Sequence, residues 1–225
     1  MKLRQQIFAI VAIPLIGIGA VSGIGIFQSL GELRETQHVE EALGYADVVS
    51  ALVHELQAER GYSAGFVGSK GQNFKDLLLE QRKLVDEQII EFSAIHDVIE
   101  VDYPELLSTF DHDLEELGKL RSEITSLSTT VPELAAHYTG MVRDALTITE
   151  VTFAEIHLGS VALAGASYVA LSEGKEAAGL ERAAGAIGFG TGAFSVDAFG
   201  RFAAMGAKEA LALFQAELYA EEAVP

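Results

Sequence analysis

Several groups of residues have types that could support catalysis or hold a metal ion, but each lacks a required partner. His54 and Glu55 begin the H-E-x-x-H pattern of zinc hydrolases, yet Ala58 stands where the second histidine should be. Glu35 and His38 have the spacing found in di-iron helical bundles, but the sequence holds no second copy of that pattern. The chain contains no cysteine, which excludes thiolate nucleophiles and disulfides. We therefore expect no catalytic residues, no metal and no cofactor, and a protein that is not an enzyme.

Two arginines lie where helical periodicity predicts side chains that face the interior of a helical protein. Steps of four and three residues define one inward stripe, which consists of Val49, Val53, Leu56, Arg60, Ser63 and Val67. The same steps define a second stripe, which consists of Tyr168, Leu171, Lys175, Ala178, Arg182, Gly185 and Phe189. Small residues stand beside both arginines, and an inward-facing arginine is costly unless it is paired. Each arginine therefore requires a negative partner.

Different negative partners lead to different functions. A carboxylate of the chain could pair with each guanidinium, and the candidates are Glu55, Glu59, Glu176 and Glu181. The protein would then be a structural or protein-binding helical bundle. Alternatively, two guanidiniums that face each other could hold a small planar oxyanion, whose shape fits the fork of an arginine. A chemoreceptor bundle that binds a small carboxylate is a third possibility.

The charge of the chain narrows the choice of partners. Its net charge is −18, and such a surface repels nucleic acid, so we expect no nucleic-acid partner. The same field opposes the approach of any small anion, which would need a local cluster of positive charge. Arg60 and Arg182 would supply that cluster if they faced each other.

Helices must position these arginines, because long stretches of the sequence show a helical period and no segment alternates with a period of two. The expected helices cover approximately residues 32–66, 73–101, 104–126, 132–171 with a continuation to 189, and 194–222. Short connections between long helices predict antiparallel neighbours, so we expect an all-α fold in which residues 32–225 form a helical bundle.

The N-terminal segment, residues 1–31, predicts a transmembrane helix. No charged residue lies between Gln5 and Gly31, and about 20 apolar residues are what a helix needs to cross the hydrocarbon core of a bilayer. A cleaved signal peptide is the alternative, but the apolar stretch exceeds the usual length of such a signal. We therefore expect an uncleaved membrane anchor.

Charges on either side of this segment predict its orientation. Lys2 and Arg4 precede it and glutamates follow it, so the positive-inside rule predicts a cytoplasmic N-terminus in a bacterial inner membrane. Residues 32–225 would then lie outside the cytoplasm. Gly19 and Gly23 have the G-x-x-x-G spacing that lets two membrane helices approach, which predicts a homodimer.

Two sequence motifs resemble the nitrate- and nitrite-sensing (NIT) domain family. The first is LVHELQAERGYSAGF over residues 52–66, and the second is KEAAGLERA over residues 175–183. The similarity also includes Tyr138-Thr139 and covers approximately residues 45–220. The resemblance implies a helical-bundle sensor in which one arginine of each motif holds the anion. These positions correspond to Arg60 and Arg182, with Tyr62, Ser63 and Lys175 as secondary candidates.

The resemblance and the predicted anchor together indicate an extracytoplasmic sensor that binds nitrate or nitrite and signals across the membrane, as in chemoreceptors, histidine kinases and cyclases. An anion between the two arginines would relieve their repulsion and draw two helices together. The family normally continues beyond the position of Pro225 into a further helix and an output module. We therefore expect a bundle that is incomplete at its C-terminus and lacks its output module.

Overall fold

A computed structural model of the chain describes residues 3–102, 104–154, 156, 159–191 and 193–224. The described residues form α-helices and contain no strand, so the predicted all-α class is confirmed. In chain order the helices are α1 (Leu3–Gly68), α2 (Lys75–Asp102), α3 (Pro104–Thr125), α4 (Val131–Ala154), α5 (Gly159–Thr191) and α6 (Val196–Ala223).

The chain divides into two compact units, Met1–Glu41 and Ala42–Pro225. The described part of the first unit is the N-terminal portion of α1. The second unit contains the remainder of α1 together with α2 to α6, and it holds every residue of the two sequence motifs.

The structure gives no support to the transmembrane helix predicted over residues 1–31. The side chains of residues 1–21, which make up most of that segment, lie outside those that the structure describes. Among the residues that are described, no helix is both long enough and apolar enough to cross a membrane. The homodimer predicted from the spacing of Gly19 and Gly23 stays a prediction.

The inward stripe predicted on the first helix is confirmed. Val49 and Leu56 are fully buried, Arg60 is only 8% exposed, and Ser63 is fully buried. The stripe packs into a core built from α1, α2, α3 and α4, whose largest buried members are Leu52, Phe92, Phe110, Leu134, Tyr138 and Ile148. Burial of this apolar face is what holds Arg60 at the interior side of α1.

Local sequence signals end and begin several helices. After α1, the backbone amide of Gly71 donates to the carbonyl of Phe66 over 2.9 Å, and Gly71 adopts a positive φ of 80°. Before α4, the Thr130 amide donates to Glu133 Oε2 over 2.9 Å, and the Glu133 amide donates back to Thr130 Oγ1 over 3.4 Å. This reciprocal pair is a capping box. Ser195 caps α6 with its side-chain oxygen.

The long fourth helix predicted over residues 132–189 is two helices in the structure. α4 ends at Ala154 and α5 begins at Gly159. The two helices come close soon after the break, since a Cβ added at Gly165 would lie 2.5 Å from the Phe153 ring. The break brings α5 back towards the rest of the bundle, and α6 then packs along α5, with Ser167 Oγ donating to the Ala216 carbonyl over 2.7 Å.

Candidate anion-binding site

Arg60 is the centre of a buried polar site between α1, α4 and α5. Its Nη1 donates to Glu176 Oε1 over 2.5 Å, and its Nη2 donates to Glu176 Oε2 over 3.0 Å. Nη1 also donates to Thr139 Oγ1 over 2.8 Å. The guanidinium therefore holds a planar carboxylate through two parallel hydrogen bonds, which is the geometry that favours arginine at oxyanion sites.

Glu176 has a third donor in addition to the two nitrogens of Arg60. Gln57 Nε2 donates to Glu176 Oε2 over 2.8 Å. The side chains of Arg60 and Glu176 are each only 10% exposed, so the ion pair is largely withdrawn from water. Three donors from α1 thus surround one carboxylate from α5. We call Gln57 and Arg60, together with Thr139 of α4, which accepts from Arg60, the oxyanion cradle.

Helix geometry explains how these residues meet. Gln57 and Arg60 are three residues apart on α1 and therefore share one face. Glu176 and Gly179 are likewise three apart on α5. Gly179 leaves room for the guanidinium, because a Cβ added there would lie 3.6 Å from Arg60 Nη2. The missing side chain lets the arginine approach the backbone of α5.

Glu59, the neighbour of Arg60, belongs to a separate buried network. Its carboxylate is fully buried and accepts hydrogen bonds from Arg121 Nε and Nη2, each over 2.8 Å, and from the Tyr138 hydroxyl over 2.8 Å. Arg82 Nε of α2 lies 3.5 Å from Glu59 Oε1. Asp86, also on α2, forms an ion pair with Arg121 of α3. This network ties α1 to α2, α3 and α4.

Electrostatics in this network favour the charged form of Arg121 and the neutral form of Tyr138. Burial raises the pKa of Tyr138, and the negative charge of Glu59 raises it further. Burial alone would lower the pKa of Arg121, but its hydrogen bonds and charge attraction to Glu59 and Asp86 outweigh burial and raise that pKa. Arg121 therefore stays charged and Tyr138 stays neutral at physiological pH.

Arg182 lies in a different environment from Arg60. It is an exposed residue of α5, and it lines an open groove together with Ala178, Glu181, Gly185, Phe189 and Phe202. No hydrogen bond or ion pair joins Arg182 to another of the described residues. It stands one turn beyond Gly179, in a groove that Phe202 of α6 also lines. The two guanidiniums do not contact each other.

The inward stripe predicted on α5 is wrong. Leu171 and Phe189, both members of that stripe, are 53% and 73% exposed. The buried residues of α5 include Ala170 and Ala177, which lie on a different side of the helix. Arg182 is therefore placed at the rim of the bundle rather than inside it.

The three secondary candidates are not gathered around the cradle. Tyr62 is half-buried and packs its ring 6.2 Å from that of Phe74. Ser63 is fully buried one turn beyond Glu59. Lys175 is exposed, with its Nζ 3.2 Å from His54 Nδ1. The described part of the chain contains no group of three or more side chains that could hold a metal ion.

Two members of the cradle, Gln57 and Thr139, were not among the site residues predicted from the sequence. Both lay within segments that resemble the family, and Gln57 is three residues before Arg60 on the same helical face. That spacing was the available signal for Gln57. Glu176 was one of four glutamates considered as a pairing partner, and only the packing of α5 against α1 selects it.

Comparisons with known proteins find a matching family, a related protein and a similar solved structure. A sequence model described as nitrate and nitrite sensing (NIT) matches residues 51–224. A nitrate regulatory protein of Klebsiella oxytoca is 30% identical over 154 residues, which are 67% of this chain and 39% of the relative. The structure of the NasR transcription antiterminator superposes with a TM-score of 0.71 at 27% identity, over 80% of this chain and 50% of that one. The chain thus spans half or less of the length of these relatives.

These relatives correct four predictions. A nitrate regulatory protein and a transcription antiterminator contradict the extracytoplasmic receptor, the inner-membrane localisation and the membrane partner. The exclusion of nucleic acid is also wrong, because one relative acts in transcription. That exclusion was drawn from a net charge of −18, and the charge of this chain describes only the part of its relatives that it covers.

The resemblance detected in the two motifs is confirmed. The family match extends over most of the chain and includes both Arg60 and Arg182. It also includes Gln57, Thr139 and Glu176, which meet in the structure. The chain therefore belongs to the nitrate- and nitrite-sensing (NIT) domain family.

Proposed function

We propose that this chain is a non-catalytic sensor module that binds nitrate or nitrite and thereby controls a regulator of gene expression. The observation that carries the proposal is the buried fork of Arg60, which holds a planar oxyanion group, the Glu176 carboxylate, between α1 and α5. Membership of the family supplies the identity of the ligand. The relatives, one a nitrate regulatory protein and one an antiterminator, suggest transcription as the process that is regulated.

The chemistry of the site suits a small planar anion. Nitrate and nitrite are planar and singly charged, and both present two oxygens to a guanidinium as a carboxylate does. An anion that reaches Arg60 leaves water, and the strength of a charge-assisted hydrogen bond increases there. A surrounding net charge of −18 opposes binding elsewhere on the surface. We therefore assign the anion to the fork of Arg60.

Arg182 is the second cation of the proposed site. It is exposed and stands one turn beyond Gly179 on α5, the helix that also carries Glu176. Its contribution would be attraction over a longer distance, since no contact holds it in place among the described residues. We expect Arg182 to contribute less to affinity than Arg60 does.

The test is a calorimetric titration of the full chain with nitrate and with nitrite, using chloride as the control for ionic strength. Arg60→Lys retains the positive charge but loses the bidentate fork, so nitrate affinity should fall by about 10- to 100-fold, the equivalent of one charge-assisted hydrogen bond. Arg182→Lys should lower the affinity by a smaller factor. Arg201→Lys, at an exposed position of α6, is the matched control and should leave the affinity unchanged.

Lysine is chosen at position 60 because removal of the charge would leave Glu176 buried without a cation and would destabilise the fold. Equal nitrate affinity in the wild type and in Arg60→Lys would contradict the proposal. The Arg60–Glu176 pair would then be a structural ion pair of a helical bundle that binds its ligand elsewhere.

A further inference from the structure

We infer that Glu176 is a built-in competitor for the ligand: its carboxylate occupies the oxyanion cradle in the absence of nitrate or nitrite, and either anion binds by displacing it. This inference rests on the proposed function, because it concerns the same fork of Arg60. The inference adds that nitrate or nitrite replaces the Glu176 carboxylate on Arg60. This replacement explains how binding could alter the contact between α1 and α5.

The geometry of the Glu176 carboxylate is the first support. Its two oxygens receive three hydrogen bonds, two from Arg60 and one from Gln57, at 2.5, 3.0 and 2.8 Å. A carboxylate has two oxygens on a planar centre, and the third substituent is the carbon that leads to the helix. Nitrite lacks that third substituent, and nitrate carries a third oxygen in its place. Either anion therefore offers the same two acceptors to the same donors.

Charge is the second support. Arg60 and Glu176 form a neutral pair whose side chains are each 10% exposed. An anion added to this pair would lie within a few ångströms of a carboxylate in a poorly solvated site, where like charges repel strongly. The cradle therefore has room for one negative group at a time. Binding of nitrate requires that Glu176 leaves, and its departure restores the charge balance around Arg60.

The exchange has a structural consequence. Three hydrogen bonds join α5 to α1 through Glu176, and displacement breaks all three. Arg60 keeps its separate contact with Thr139 of α4, at 2.8 Å, so α1 stays joined to α4. The movement is therefore expected in α5, which also carries Arg182. Helix shifts of about 1–2 Å are the usual size of such signals.

Selectivity follows from the same cradle. Anions with two oxygens on a planar centre should compete with Glu176, so formate should bind along with nitrate and nitrite. Tetrahedral perchlorate and spherical chloride, which also carry a single charge, do not present oxygens in this arrangement and should bind much more weakly.

The decisive variant is Glu176→Gln, which keeps the shape of the side chain and removes its charge. We expect nitrate affinity to rise by at least about tenfold, because the competitor for Arg60 is weaker. Glu173→Gln makes the same change in charge one turn earlier on α5 and should change the affinity by less than about twofold. Nitrate should also raise the melting temperature of Glu176→Gln more than that of the wild type.

The outcomes separate the inference from the proposed function. If Glu176→Gln leaves nitrate affinity unchanged or lowers it, while Arg60→Lys weakens nitrate binding to the wild type, the inference is overturned and the proposed function stands. If neither the wild type nor Glu176→Gln binds nitrate, the proposed function itself is overturned. Should Glu176→Gln not fold, Glu176→Asp retains the charge on a shorter side chain, and its weaker hold on Arg60 should raise nitrate affinity by a smaller factor.

Discussion

The chain contains two Glu-Arg motifs with similar local sequences and opposite surroundings. Glu59 and Arg60 of α1 are both buried, and each has several hydrogen-bond partners. Arg182 of α5 is exposed in an open groove, and Glu181 beside it is half-buried, with its pKa raised by Glu209 of α6. The same pair of residue types therefore forms part of the interior in one helix and part of a solvent-accessible rim in the other.

The contrast indicates a division of roles. Glu59 accepts hydrogen bonds from two other helices and pairs with Arg82 of a third, and such a network favours one fixed arrangement. Arg60 depends on one carboxylate, which another anion can replace. Arg182 is exposed in an open groove and makes no hydrogen bond or ion pair with another of the described residues. The first motif thus combines a fixed residue with an exchangeable one, and the second supplies an exposed cation.

Removal of the Glu59 charge should have the largest effect on stability. Glu59→Gln leaves Arg121 partly uncompensated in a buried site, so the free energy of unfolding should fall by about 3–5 kcal/mol, the usual cost of breaking a buried ion pair. Urea denaturation followed by circular dichroism measures this change. Glu87→Gln, an exposed position of α2, is the control and should change the unfolding free energy by less than about 0.5 kcal/mol.

A loss of less than about 1 kcal/mol in Glu59→Gln would contradict the fixed role assigned to Glu59. The buried network would then be replaceable by neutral hydrogen bonds, and the distinction between Glu59 and Arg60 would disappear.

Two adjacent residues of α4 give a sharper test of this distinction, because each contacts a different member of the first motif. The Tyr138 hydroxyl donates to Glu59, and Thr139 Oγ1 accepts from Arg60. Tyr138→Phe should lower the unfolding free energy by about 1.5–3 kcal/mol, as expected for a hydrogen bond to a charged group, and leave nitrate affinity unchanged. Thr139→Val should change stability less and nitrate affinity more.

Parallel measurement of unfolding and of nitrate binding in these two variants checks the prediction. If Tyr138→Phe alters nitrate affinity as strongly as Thr139→Val does, Glu59 and Arg60 act as one coupled unit and the division of roles is wrong.

Much of the first motif could be predicted from the sequence. The stripe that runs from Val49 to Ser63 has large apolar residues at a regular helical spacing, so its inward direction was unambiguous. The all-α class and the family motifs were also accessible, because both depend on local patterns. The environment of Arg60 was therefore anticipated, although its partner was not chosen from among several glutamates.

The second motif could not be placed in the same way. α5 is rich in alanine and glycine, which tolerate both buried and exposed positions, so several phases of the helix fit its sequence. No proline marks the break after Ala154, so the sequence did not predict where α4 ends. Because α5 is a separate helix, the position of Arg182 could not be inferred from the phase of α4. The pairing of Glu176 with Arg60 then depends on how α5 packs against α1, which is a property of the tertiary structure.

The smallest expected effect concerns Glu181, the carboxylate of the second motif. A hydrogen bond with Glu209 raises the pKa of Glu181 above its usual value, with smaller contributions from burial and from the negative charge of Glu209. A raised pKa in the folded state means that this contact stabilises the protein at low pH and is lost as the pH rises through that pKa.

Glu181→Gln donates a hydrogen bond without a titrating proton. Its melting temperature should therefore slightly exceed that of the wild type at neutral pH and converge with it at acidic pH. Glu217→Gln, at an exposed position of α6, should follow the wild-type pH profile. If Glu181→Gln also ran parallel to the wild type, Glu181 and Glu209 would not share a proton, and the rim that carries Arg182 would respond to its ligand without responding to pH.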